Sequence, residues 1–92
     1  MDYEKIKQDA YNKLKSYLSQ HIGNGFIPNI KAIEKEVRNL RNGIRILEQG
    51  APLFATNLQE VEKAETGIAI RQGKIQAYQE ILDKYYLTIK EQ

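Results

Sequence analysis

The sequence predicts an all-α fold: three helices in an antiparallel arrangement, the third long and open to kinking, packed as in a coiled coil. Three observations predict it. Apolar residues recur at alternating spacings of three and four along two long seams. Short segments rich in glycine and proline separate the periodic stretches. A favourable N-cap residue opens each stretch: Asp2, Asn29, and Thr56 or Asn57. The 92 residues form one helical domain, with helices expected at about 2–22, 29–49 and 57–90.

The first helix places Tyr3, Ile6, Ala10, Leu14, Tyr17 and Leu18 on one broad face. Gly23 and Gly25 end it, and the apolar Phe26 and Ile27 ahead of Pro28 are expected to plug the end of the core. The second helix carries the seam Ile30, Ile33, Val37, Leu40, Ile44 and Leu47 and is expected to end near Gly50, before Pro52. The third carries Val61, Ala64, Ile68, Arg71, Ile75, Tyr78, Leu82, Tyr85 and Ile89. A capping box, Thr56 with Gln59 or Asn57 with Glu60, starts it. At 1.5 Å per residue it would reach roughly 50 Å, against roughly 30 Å for each of the others. Gly67 and Gly73 fall inside it, and each costs about 1 kcal/mol relative to alanine. Close helix crossing, a kink, a ligand at the backbone or a break in the helix would each account for them.

Composition narrows the function. There is no cysteine, which excludes a disulfide framework and thiolate zinc sites. His21 is the sole histidine; it sits in a helix-terminal turn, where a cation meets the helix dipole favourably. No cofactor motif is present, the Gly23-Asn24-Gly25 loop lacks the lysine and strand of a phosphate loop, and no paired carboxylates suggest catalysis. The reading is a non-enzyme with no cofactor and no metal. No apolar run approaches a membrane span, and a cytoplasmic location is expected. Fourteen basic against twelve acidic residues leave +2, too even for bulk polyanion binding.

Local features carry the rest. Lys31, Lys35, Arg38, Arg41 and Arg45 fall within an arc of about 120° on the second helix, opposite its seam. They are either a binding stripe for an acidic protein surface or phosphate, or an ordinary solvated face. Arg71 interrupts an apolar seam, so it must reach water, pair with a carboxylate such as Glu34 or Glu65, or hold an anion. Tyr11 lies toward the edge of its face and is the tyrosine expected to meet a ligand or partner. Ile75, Tyr78, Ile81, Leu82, Tyr85, Tyr86 and Ile89 make a face wider than one neighbour needs, so Ile68, Ile75, Tyr78, Leu82, Tyr85 and Ile89 are expected to join copies of the chain.

The function expected is that of a small homo-oligomeric helical interaction protein. It would act stoichiometrically, binding and modulating or inhibiting a partner protein. A phage or bacterial accessory role is suggested by size alone. Two alternatives stand beside it: an oligomeric sponge binding a nucleotide or other phosphate ligand at helix junctions, and a structural assembly component. Nucleic acid ranks below protein as a partner, because no aromatics interleave with the basic residues.

Overall fold

Capping fixes where the helices begin. The Asp2, Asn29 and Asn57 side chains accept hydrogen bonds from the backbone N–H of Lys5, Ala32 and Glu60 at 3.1, 3.1 and 2.9 Å. Each thereby satisfies one of the donors that a helix start leaves open. The computed structural model describes the backbone of residues 2–23, 29–54 and 57–91, and the side chains of those ranges other than 22, 23, 51–54 and 88–91. Three helices result: α1 (Tyr3–Gly23), α2 (Ile30–Phe54) and α3 (Leu58–Glu91). Phe26 and Ile27, expected as a plug, and Thr56, the alternative cap, lie outside the described residues.

α3 runs unbroken through Gly67 and Gly73 and sets the 52 Å length of the molecule. α2 continues past its expected end at Gly50, through Pro52 to Phe54. Proline holds φ near the helical value, and in a last turn its missing N–H deprives a single carbonyl, that of Glu48, four residues back. Glu48 is exposed to water, so the helix persists where the proline was expected to stop it.

The two seams face each other. α2 lies antiparallel on α3: Leu47 is beside Gly67, Gly43 beside Arg71, and Ile33 and Val37 pack with Leu82. Ile30, Ile75, Tyr78 and Ile81 pad that cluster, and Leu40 is also buried. α1 lies parallel to α3, with Tyr3 near Glu62 and Glu65, and Tyr11 on Glu80. Residues 67, 71 and 82 meet α2, whereas 73 and 80 meet α1; at 100° per residue these are opposite sides of α3. Among the described residues no Cα of α1 comes within 8 Å of one of α2. α3 is therefore the spine, with one helix on either side.

The α1 side of α3 is a stripe of small residues, Ala69, Gly73 and Ala77, one turn apart. Both alanines are only 3% exposed. A Cβ on Gly73 would fall on the Lys7 carbonyl oxygen and stand 3.0 Å from the Ala10 Cβ and the Tyr11 nitrogen. The glycine thus lets two backbones touch. Gly67 is different: a Cβ there would stand 3.1 Å from Arg71 Nη1 and Leu47 Cδ1, both ends of flexible side chains.

The two glycines should respond oppositely to alanine. Gly73→Ala should lower stability by about 1–3 kcal/mol, because overpacking against a backbone outweighs the gain in helix propensity. Gly67→Ala should lie between neutral and about 1 kcal/mol more stable. Urea unfolding followed by circular dichroism measures both; equal midpoints would contradict the close crossing at Gly73.

Candidate binding surfaces

The basic stripe of α2 forms as its spacing implies. Lys31, Lys35, Arg38, Arg41 and Arg45 are all exposed, on the side turned away from α3. None of the five hydrogen-bonds or ion-pairs with another described residue. Glu34, the one acidic residue within the arc, is half-buried and turned toward Tyr86 of α3. Partial burial and a hydrogen bond to Glu34 hold the Tyr86 phenol above its usual range. The carboxylate that would have neutralised part of the stripe is engaged elsewhere.

Arg71 and Tyr11 stand apart from that stripe. Arg71 lies across Gly43, whose missing side chain makes the room: a Cβ there would sit 2.8 Å from the Arg71 Nε. Its Nη1 donates to the Gly67 carbonyl at 3.0 Å. No carboxylate among the described residues pairs with it, so the register-setting partners Glu34 and Glu65 do not serve that purpose. The guanidinium caps a carbonyl of its own helix while its stem covers the seam. Gly43 was the signal for this arrangement, one helix away from the arginine it accommodates.

Tyr11, expected at the edge of its face, is 8% exposed and belongs to the core. Its hydroxyl donates to Glu80 Oε1 at 2.6 Å and accepts from Lys15 Nζ at 3.0 Å. Lys15 also lies 3.9 Å from Glu80 Oε2 and 5.3 Å from the Tyr11 ring centroid. The contact with the Tyr11 oxygen, reinforced by Glu80, raises the Lys15 ammonium above its ordinary value. These three groups join α1 to α3, and the tyrosine hydroxyl proton is already committed to Glu80. The slight shift in facing arises because α1 sits so close to α3 at Gly73 that a residue on its flank is covered.

The residues expected to join copies of the chain have partners within it. Leu82 is 4% exposed against Ile33 and Val37, and Ile75 and Tyr78 pack on the same cluster. Ile68 is half-buried, Tyr85 is open to water beside Tyr86, and the Ile89 side chain is outside the described set. α2 of the same chain thus covers Ile75, Tyr78 and Leu82 of that face.

A different apolar surface remains open. Ile6, Ala10, Leu14 and Tyr17 of α1 and Ile70 of α3 line a groove of about 630 Å³, edged by Asp9, Lys13 and Lys74. Tyr17 is 55% exposed there and leans on His21, ring centroids 4.2 Å apart. The opposite flank of α3 is polar, a shallower groove formed by Lys7, Gln72, Gln76, Gln79, Glu80 and Asp83 with Ile75. Comparison with family models, curated proteins and solved structures finds no match to this chain.

Tyr78, packed on the cluster between α2 and α3, makes the assembly sensitive to alkali. Burial, followed by the charges of Glu36 and Tyr17, raises its phenol above the ordinary value of 10.0. A raised value means that the folded state holds the proton more tightly than the unfolded state. Its contribution is complete below pH 10.0 and disappears as pH climbs through the folded value. The melting temperature should fall above that pH, and Tyr78→Phe should make the fall shallower. Parallel curves for both chains, from thermal melts at stepped pH, would remove Tyr78 as a cause.

Proposed function

We propose that the chain is a non-catalytic binding protein whose α2 presents Lys31, Lys35, Arg38, Arg41 and Arg45 to an acidic surface of a partner protein. The observation that carries this reading is a row of five exposed cations without partners among the described residues, in a chain of net charge only +2. From Lys31 to Arg45 the row extends about 21 Å along a rigid helix. That is comparable with one face of a standard protein interface. Three of the five are arginines, whose planar forks match carboxylate pairs. Binding would be stoichiometric, occupying or blocking the acidic surface, so that the chain modulates or inhibits its partner.

The phosphate-sponge alternative draws on Arg71 and Tyr11 as ligand groups at the helix junctions. Arg71 is spread over Gly43, and the Tyr11 hydroxyl is held by Glu80 and Lys15. The protein-surface reading does not depend on either residue.

The double variant Arg38→Glu, Arg41→Glu should keep its helical signal and melting temperature, since both side chains are exposed. It should lose capture of acidic proteins from nuclease-treated extract of the native cell, and wild-type capture should weaken as salt is raised. Capture of the same proteins by both forms would retire the reading. Capture that vanishes with nuclease treatment of the wild type would point to nucleic acid instead.

A further inference from the structure

We propose that the groove between α1 and α3 is the seat of a second copy of this chain, the two α1 helices crossing antiparallel about a two-fold axis. The proposal is independent of the basic stripe, which lies on α2. It starts from surface area. The chain exposes 6917 Å², whereas a compact monomer of 10.7 kDa exposes about 5,500 Å². The excess, roughly 1,400 Å², belongs to the whole elongated chain, and a standard interface takes ~800 Å² from each partner. An apolar groove edged by mixed charge is where such surface is most costly to leave in water.

The residues along the groove suit pairing with themselves. In a two-fold interface, residue i meets j of the other copy and j meets i. With the axis midway between Ala10 and Lys13, Ile6 lies against Tyr17 of the second copy and Tyr17 against its Ile6. Ala10, the smallest lining residue, sits at the crossing, where a bulky side chain would hold the helices apart. Asp9 and Lys13 are one turn apart on the groove edge, so each carboxylate of one copy faces the ammonium of the other, twice over. A row of a single charge would repel its own image; this row complements it. A foreign amphipathic helix would need no such alternation.

The test uses the full chain, with mass measured by sedimentation equilibrium. Wild type should approach twice 10.7 kDa with rising concentration. Tyr17→Asp, Asp9→Lys and Lys13→Asp should each weaken association at least about tenfold. All three positions are exposed, so circular dichroism should show intact helices. The decisive arm mixes the two charge variants. Asp9→Lys carries two lysines on the edge and Lys13→Asp two aspartates, so the equimolar mixture should recover dimers that neither forms alone. Loss of an i,i+4 pair within α1 predicts no such recovery. A wild type that stays monomeric at its highest attainable concentration overturns the proposal. So does a dimer indifferent to all three substitutions, or a mixture no tighter than its components.

Discussion

α3 must satisfy two neighbours on opposite sides, and it does so with two kinds of surface. Toward α2 it offers large side chains, Ile75, Tyr78 and Leu82, that interdigitate with Ile33 and Val37. Toward α1 it offers Ala69, Gly73 and Ala77, over which a backbone can pass at contact distance. The first surface removes apolar area from water; the second brings peptide groups into van der Waals contact, where dispersion adds up over many atoms. Everything else in the molecule is placed by this division. The position of α1 against Gly73 covers Tyr11 and leaves Tyr17 and Ile6 bordering an open groove. The position of α2 sends its cations outward and its seam inward.

Polar chemistry inside this thin assembly is settled locally. Arg71 lies in a seam without a carboxylate partner among the described residues, where Gly43 supplies space and Gly67 supplies a carbonyl. Lys15, Tyr11 and Glu80 form a chain of bonds at the margin of the α1–α3 contact, where water still screens the charges. Their value lies in fixing the register of α1 along α3 more than in free energy. Tyr78 packs on the cluster between α2 and α3, close enough to Glu36 and Tyr17 to feel their charges.

Much of the architecture was legible in the residues. Asp2, Asn29 and Asn57 cap the helices that their spacing announced, and the seams of α2 and α3 both form. What the periodicity could not state was whom each seam would face. A three-four pattern specifies a stripe, and the stripe of α3 from Ala64 to Leu82 fits α2 of its own chain as readily as a copy. The second face of α3 was hidden for a different reason. Ala69 and Ala77 are weakly apolar, and a helix with two opposed faces has a pattern that partly cancels. The i, i+4, i+8 repeat of Ala69, Gly73 and Ala77 was nevertheless present as a signal. Tyr11 was misplaced for a related reason: its burial depends on how closely α1 approaches Gly73. The extension of α2 through Pro52 shows a proline ending a helix less abruptly than its missing N–H suggests.

The sandwich order also frames what the chain offers to others: cations on α2, a greasy furrow beside α1, and a spine that keeps them apart. Proton–proton contacts across the helices bear on that order most directly. In a NOESY spectrum of the folded chain, the Gly73 α-protons should show cross-peaks to the Ala10 methyl, and the Arg71 δ-protons to the α-protons of Gly43. A spectrum in which α1 is joined directly to α2, with the Gly73 α-protons seeing only their own helix, would contradict the account.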